Sequence, residues 1–179
     1  MNILRRGGWF TDTTAPAMNQ RASALIEILS LKPHPEGGYY SEIFRSPRHV
    51  TAEASFGIRS AITSIYFLIL EDEPSKWHRV MSDEVWHFLE GSPAEIFTVD
   101  PIGLQLEQRF LGPAAQEGQR PAVVVPAGHW QGARTHGDYT LAGCTVGPGF
   151  DFSDFKLLRD EPALHDRFRR DFPELPDLL

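Results

Sequence analysis

The sequence predicts an all-β antiparallel sandwich or barrel with a short helix at each end, and three observations lead to this prediction. Residues 37–158 consist of short runs rich in Val, Ile, Phe, Tyr and Trp, separated about every eight to twelve residues by Gly, Pro or Asp. Helical spacing of apolar residues occurs only near the two ends, which excludes a doubly wound parallel sheet. The 179 residues, 41% of them hydrophobic, suffice for one domain whose core needs no disulfide or metal.

Composition narrows the expected partners and compartment. The 17 Lys and Arg residues are outnumbered by 24 Asp and Glu residues, giving a net charge of −7, so the chain lacks the basic face that nucleic acid requires. The longest apolar run, residues 65–70, is far shorter than a membrane-spanning helix, and no secretion-type apolar segment follows residues 1–6. With the single cysteine Cys144, we expect a cytoplasmic protein without nucleic-acid or membrane partners and without an intrachain disulfide.

The elements follow in order along the chain. Residues 1–18 show no usable period and are interpreted as an N-terminal arm, followed by a single domain at residues 19–179. Asn19 has the residue type of an N-cap, and apolar residues at helical spacing continue until Lys32–Pro33. A short closing helix is expected after Glu161, beginning at Pro162. The barrel is expected at about residues 37–158, with ten strands at residues 39–44, 61–70, 77–80, 84–89, 94–99, 104–111, 122–125, 129–134, 139–146 and 151–158.

The run at residues 61–70 is apolar at consecutive positions, so both of its faces need cover. In a chain of this size, a second subunit is one way to cover the outer face. A homodimer is therefore a hypothesis of the sequence.

The densest polar and aromatic segment is residues 77–91, which we interpret as two strands joined at residues 81–83. Period-two alternation places Glu84, Trp86 and Phe88 on one face of the second strand. An ionised carboxylate among aromatic rings requires a cation, a hydrogen-bond donor or a raised pKa. Each of these is typical of a functional site.

A second segment, residues 123–134, turns at Pro126 and Gly128 and then continues as a strand. Alternation places His129 and Gln131 on one face, where we expect them to share a cavity with Glu84. The segment His-Pro-Glu-Gly-Gly at residues 34–38 is either a rigid turn into the first strand or part of the pocket lining. Cys144 alternates with apolar neighbours and is interpreted as a small buried hydrophobe.

These segments resemble the two motifs of the cupin superfamily. His78, Glu84 and Gly91 fit the first motif at its spacing, and Pro126 and Gly128 fit the second. Two usual metal-binding histidines of the superfamily are replaced, one by Val80 and one by Gln131.

Further blocks are similar to the cupin-five branch of that superfamily, domain of unknown function 985. They cover about residues 25–158 and read HPEGGYY at 34–40, SIYFL at 64–68, WH at 77–78, SDEVWH at 82–87, VPAG at 125–128, WQ at 130–131, CTV at 144–146 and PGFDF at 148–152. The resemblance implies a double-stranded β-helix, the cupin jelly roll, paired as a homodimer. It also implies a pocket inside the barrel similar to that of sugar epimerases of the same superfamily.

Three functions remain open at the level of sequence. The first is isomerase or epimerase chemistry on a polar, carbohydrate-like small molecule, with His78 as base and Glu84 orienting or polarising it. In that hypothesis Tyr39 or Tyr66 supplies the acid, and the remaining contacts to the substrate come from Trp86, Phe88, His129 and Gln131. The second is an enzyme dependent on a divalent metal (Zn, Fe, Mn or Ni) held by His78, Glu84, His129 and Gln131. The third is a non-catalytic binding module for a small molecule.

Overall fold

Two long sheets and two helices are assembled from residues 19–51, 57–102, 104–175 and 178–179, which are the residues that the computed structural model describes. The helices are α1 (Gln20–Ile28) and α2 (Pro162–Asp171). The strands of the first half are β1 (Lys32–Pro33), β2 (Tyr39–Arg45), β3 (His49–Thr51), β4 (Ile58–Ser60), β5 (Thr63–Leu70), β6 (Ser75–Arg79) and β7 (Asp83–Gly91). Those of the second half are β8 (Ala94–Val99), β9 (Leu106–Leu111), β10 (Gln119–Arg120), β11 (Ala122–Val125), β12 (Trp130–Thr135), β13 (Tyr139–Gly147) and β14 (Lys156–Leu157).

The two six-stranded sheets form a jelly roll. The first sheet has the order β1-β2-β5-β13-β7-β11 and the second has the order β10-β9-β8-β12-β6-β14. Neighbours in each sheet come from distant parts of the sequence, as in β5 with β13 and β6 with β12. Strands β3 and β4 form a separate two-stranded sheet. The predicted double-stranded β-helix is confirmed.

Side chains between the sheets form the inner core. Phe67 and Ile69 of β5 pack there with Trp86 of β7 and Ile96 of β8, all at most 2% exposed. Alternation along each strand explains this arrangement, because every second side chain points into the barrel.

Helix α1 covers the outer face of the first sheet. Its Ala22 and Leu25 pack on Leu68 and Leu70 of β5 and on Leu141 of β13. The Asn19 side chain caps the helix by accepting from the backbone N–H groups of the next turn, as the sequence predicted. The apolar outer face of β5 is therefore covered within the chain, by α1 rather than by a second subunit. The homodimer stays a prediction, but the need to cover β5 no longer supports it.

Helix α2 covers the outer face of the second sheet. Phe168 is fully buried against Trp77 of β6 and Trp130 of β12, with ring centroids 5.1 and 6.2 Å away. The predicted start at Pro162 is confirmed. Neither helix in the described part of the chain is long and apolar enough to cross a membrane.

The predicted strands at residues 94–99 and 122–125 have the observed bounds, but the strand predicted at 151–158 is wrong. Asp151 caps a 3-10 helix, Phe152–Asp154, by accepting from the Ser153 backbone N–H at 2.9 Å, and only Lys156–Leu157 of this segment pairs as a strand. Phe150 and Phe152 imitate strand alternation, but the Asp-x-Ser turn at residues 151–153 interrupts it. The N-terminal arm predicted at residues 1–18 lies outside the described residues.

Candidate functional site

A cavity of about 230 Å³ lies between the sheets at one end of the barrel. The inner faces of β2, β5, β7 and β13 form one wall, and the opposite wall is formed by His78 of β6 and by Val80, which directly follows that strand. Its buried polar lining includes Glu36, Thr63, His78 and Glu84, whereas the exposed charged side chains that line it are Lys32, Glu42 and Arg45. The cavity is thus polar inside and carries both signs of charge toward solvent.

The turn at residues 34–38 directs two of these side chains inward. Gly37 donates its backbone N–H to the carbonyl oxygen of His34 at 3.0 Å, and His34 donates to Gly38 at 3.0 Å. Gly37 has φ +108°, and a Cβ there would lie 2.3 Å from the carbonyl oxygen of Pro74. Only glycine fits such a backbone, so the segment is a rigid turn and also lines the pocket through His34 and Glu36.

Glu36 is the centre of a buried polar cluster. The Ser75 hydroxyl donates to Glu36 Oε1 at 2.8 Å, while Oε2 lies 3.3 Å from His34 Nδ1 and 3.2 Å from His78 Nε2. Burial alone raises the pKa of Glu36, but the two histidines and the Ser75 hydroxyl outweigh it and hold the pKa below its usual value. Glu36 is therefore a carboxylate at neutral pH.

His78 is fixed at both ring nitrogens. Nδ1 lies 2.8 Å from the carbonyl oxygen of Lys76, which can only accept, so Nδ1 carries a proton. The nitrogen that gains or loses a proton is Nε2, which faces Glu36. Burial lowers the pKa of His78, and the Glu36 carboxylate acts against that lowering by stabilising the imidazolium.

Glu84 has neutral hydrogen-bond partners. Gln131 Nε2 donates to Glu84 Oε2 at 2.6 Å, and the thiol of Cys144 also donates to this carboxyl group. Burial, assisted by the negative charge of Glu36, raises the pKa of Glu84 to about 7 against the opposing hydrogen bond from Gln131. Burial likewise raises the pKa of Cys144 well above its ordinary value, so this thiol stays protonated.

Aromatic rings enclose the His34 side of the cavity. The His34 ring contacts Tyr40, Phe155 and Phe152 at centroid distances of 4.7, 5.7 and 6.2 Å. Tyr40 and Phe152 also line the cavity, as does Phe150. The cavity therefore pairs a flat apolar surface with buried titratable groups.

The structure brings together some of the residues singled out in the sequence and separates others. His78, Glu84 and Trp86 line the cavity, and Gln131 lies directly behind Glu84 and Trp86. Phe88 packs against the inner core without lining the cavity.

Both candidate tyrosines lie elsewhere. Tyr39 and Tyr66 pack with the α1 side chains on the outer face of the first sheet, because alternation on β5 turns Tyr66 away from Phe67 and the barrel interior. The tyrosine in the cavity is Tyr40. His129 precedes β12 and is not among the lining residues; its Nδ1 lies 3.5 Å from the carbonyl oxygen of Ala127.

The superfamily's metal-ligand positions do not form a ligand set here. Val80 has no donor atom, and the Gln131 side-chain oxygen accepts from Trp86 Nε1 instead of facing the cavity. His78 Nε2 faces Glu36, and His129 does not join His78 and Glu84. Within the described ranges, no group of three or more His, Cys, Asp or Glu side chains could hold a metal ion. The residues present do not fit a bound divalent metal.

Sequence reasoning named residues 34–38 as one possible part of the pocket lining, but it gave no individual role to His34 or Glu36 and did not name Tyr40 as a site residue. Glu36 lies 42 positions before His78, and no local periodicity joins a turn to a distant strand. The available signal was the pair of glycines directly after a glutamate. Two glycines in succession indicate a tight turn that lies close to another backbone segment, and such a turn fixes the direction of the preceding side chain.

A jelly roll with a polar cavity between its two sheets defines this chain as a cupin-type barrel protein. The chain belongs to the family described as Cupin superfamily (DUF985), whose model matches residues 23–158.

The chain is also similar to three proteins over most of its length. An uncharacterised protein of Saccharomyces cerevisiae is 28% identical over 170 residues, which cover 87% of this chain and 84% of that protein. A solved structure of a hypothetical protein from Leishmania major has 31% identity and a TM-score of 0.72, covering 88% of this chain and 96% of that one. The solved structure of protein SO0799 from Shewanella oneidensis has 38% identity and a TM-score of 0.68, covering 76% of this chain and 83% of that one.

Proposed function

We propose that this protein is an enzyme of the isomerase or epimerase kind that moves a proton on a polar, carbohydrate-like small molecule. One observation carries the proposal: two buried carboxyl groups line one cavity, and their surroundings shift their pKa values in opposite directions. Pairs of titratable groups separated in this way are typical of acid–base catalysis.

The arrangement favours Glu84 as the catalytic base. A pKa of about 7 means that Glu84 is populated both with and without a proton near neutral pH, which suits a group that takes and returns protons. His78 suits this role less well, because its titrating nitrogen faces Glu36 rather than open space. Glu36 and His78 instead supply a fixed polar wall.

The proposed step conserves all atoms and needs no external oxidant. The Glu84 carboxylate takes the proton from a carbon next to a carbonyl group. The C–H electron pair forms a C=C bond to the carbonyl carbon, and the C=O π pair moves to the oxygen, which gives an enolate. Tyr40, on the same cavity wall, is the candidate hydrogen-bond donor to that oxygen. Returning the proton to the other face of the same carbon, after the enolate has turned over relative to Glu84, gives an epimer. Returning it to the former carbonyl carbon gives an isomer, provided that the hydroxyl group on the first carbon passes its proton to the enolate oxygen and becomes the new carbonyl group.

The size and lining of the cavity support a small, single-ring substrate. Its volume of about 230 Å³ lies below the range of about 300–1,000 Å³ that drug-sized ligands occupy. Trp86, Phe150 and Phe152 supply apolar surface against which a sugar ring can pack, while the carboxyl groups bind its hydroxyl groups.

Solvent-proton exchange tests the proposal. Sugars and nucleotide-sugars that raise the melting temperature are incubated with the protein in D₂O, and loss of the proton next to the carbonyl is followed by ¹H NMR. We expect exchange with the wild type and with the control Glu27→Gln, whose side chain is exposed on α1, and no exchange with Glu84→Gln. Tight binding of a carbonyl compound without exchange would instead identify a binding module, and exchange by Glu84→Gln would remove Glu84 as base.

A further inference from the structure

A chain of hydrogen bonds connects the two sheets behind the cavity wall. Trp86 Nε1 donates to Gln131 Oε1 at 3.1 Å, and Gln131 Nε2 donates to Glu84 Oε2 at 2.6 Å. Trp86 and Glu84 are two residues apart on β7, so they share one face, and Gln131 reaches them from β12 in the opposite sheet. All three side chains are at most 7% exposed.

Trp86 fixes the donor-to-acceptor direction of these two hydrogen bonds. The indole N–H of Trp86 is a donor with no accepting capacity, so the atom of Gln131 that faces it must be the oxygen. The amide nitrogen then faces Glu84. With the amide turned over, two donors would face each other at Trp86 and two acceptors at Glu84, both away from water.

The position of Gln131 determines which group at the site its amide can contact. Gln131 is paired with His78 on the neighbouring strand β6, so it lies beside the cavity wall without lining it. Its one atom capable of binding a cation is turned to Trp86, and its donor is turned to Glu84. The amide therefore acts on the carboxyl group and not directly on a bound molecule.

We propose that Gln131 is a positioning residue: its amide, oriented by Trp86, holds the carboxyl group of Glu84 in place and stabilises its ionised form. This inference rests on the proposed role of Glu84 in proton transfer. The other titratable groups acting on Glu84 are Glu36, Cys144 and His34, and His78 lines the same cavity.

Titration of Glu84 tests the inference without any substrate. Protein labelled with ¹³C at the glutamate carboxyl carbon is titrated by NMR, and the Glu84 signal is assigned by its loss in Glu84→Gln. Gln131→Met keeps the length of the side chain but removes the donor, so we expect the Glu84 midpoint to rise by about one pH unit, a tenfold change in the protonation equilibrium. Trp86→Phe keeps the Gln131 amide but removes the orienting N–H together with part of the ring, and it should give a smaller rise.

A matched control is present elsewhere in the barrel. The amide of Gln108 also donates to a carboxylate, that of Glu95, outside the cavity. Gln108→Met should leave the Glu84 midpoint unchanged. A folded Gln131→Met protein with the wild-type midpoint would overturn the proposal.

A second measurement needs no variant that might misfold. In the wild-type protein, the side-chain NH₂ signals of Gln131 should shift with the same midpoint as Glu84, and the absence of such a shift would also overturn the proposal. Loss of exchange activity has a different meaning: if no carbonyl compound exchanges but the Glu84 midpoint moves in Gln131→Met, the proposed function fails and the positioning role stands.

Discussion

Glu84 combines deep burial with neutral hydrogen-bond partners, and this makes the stability of the protein depend on pH. In the unfolded chain its pKa returns to about 4.5, whereas in the folded protein it is about 7. Between these values the native state holds a proton that the unfolded state has lost, so Glu84 contributes a fall in stability as pH rises from 4.5 to 7. Above pH 7 this amounts to a cost on the order of 3 kcal/mol.

Glu84→Gln should therefore remove this fall in stability. The glutamine introduced by this change keeps a side-chain oxygen that can accept from Gln131, so the buried contact survives. We expect urea unfolding at pH 5, 6, 7 and 8 to show a stability difference that shifts in favour of the variant with rising pH. Other titrating groups, His78 among them, are common to both proteins and cancel. An unchanged difference across this range would contradict a raised pKa.

Glu36→Gln should instead lower the stability of the protein at neutral pH. The change removes the negative charge that His34 and His78 share, and a weakened buried hydrogen-bond cluster costs about 1–3 kcal/mol. The loss of the carboxylate should also lower the pKa of His78, measured by NMR titration of its ring proton. Glu107→Gln, which changes an exposed carboxylate on β9, serves as control and should alter neither quantity.

At the level of residues, the sequence predicted which side chains of a strand point into the barrel. It did not predict hydrogen bonds between segments that are distant in the sequence. The positions of Glu84 and Trp86 follow from period-two alternation, and both line the cavity. The hydrogen bonds of Glu36 depend on a turn closing against β6, and no pattern in the sequence encodes that distance.

Among the elements, the turn at residues 34–38 is the one whose exact backbone the site requires. Gly37→Ala would place a Cβ 2.3 Å from the Pro74 carbonyl oxygen, so the backbone must move. Gly118 also has a positive φ, +87°, but nothing lies within 4 Å of a Cβ there. Alanine at Gly118 should cost about 1 kcal/mol from the φ angle alone.

Gly37→Ala should destabilise the protein by at least about 2 kcal/mol more than Gly118→Ala, because a clash is added to the unfavourable φ angle. Thermal or urea unfolding of the two variants measures this difference. Since the turn also carries Glu36, Gly37→Ala should in addition lose exchange activity. Equal costs for the two variants would show that the turn adjusts freely.

Element prediction succeeded where hydrophobic alternation was uninterrupted and failed where a polar side chain redirected the backbone. Strands β8 and β11 are found where the sequence predicted them. At residues 151–158, the hydrogen bond from the Ser153 backbone to Asp151 favours a 3-10 turn over an extended chain. Short edge strands such as β1 and β10 carry too few residues to show a period.

For the whole molecule, the sequence predicted the barrel and a helix at each end, but not the sheet faces on which these helices pack. Both faces of β5 were expected to be covered, and α1 provides the outer cover within the same chain. Which element packs on an outer face depends on loop paths, which local patterns do not encode. The same limit applies to the homodimer, which sedimentation equilibrium of the purified protein would test.

Metal content is a property of the assembled molecule. Because the ligand positions of the superfamily do not converge, we expect untagged protein purified without chelator to contain well below one Zn, Fe, Mn or Ni ion per chain by elemental analysis. Near-stoichiometric metal that disappears in Glu84→Gln would contradict this expectation and place Glu84 in a metal centre.

The placement of the tryptophans gives the protein an internal optical probe. Of the four tryptophans in the sequence, Trp77 and Trp130 are packed beneath α2 on the outer face of the second sheet, while Trp86 forms part of the cavity wall. Trp9 lies outside the described residues. A molecule entering the cavity therefore alters the surroundings of Trp86 but not those of Trp77 or Trp130.

Intrinsic fluorescence should accordingly report occupancy of the cavity without any label. In a Trp9→Phe background, titration with a compound that binds should change the emission when Trp86 is present and leave it unchanged after the further change Trp86→Phe, even where that variant still binds. A fluorescence response that persists without both tryptophans would mean that the compound binds outside the barrel. Compound collections can thus be screened by light emission alone, before any reaction is known.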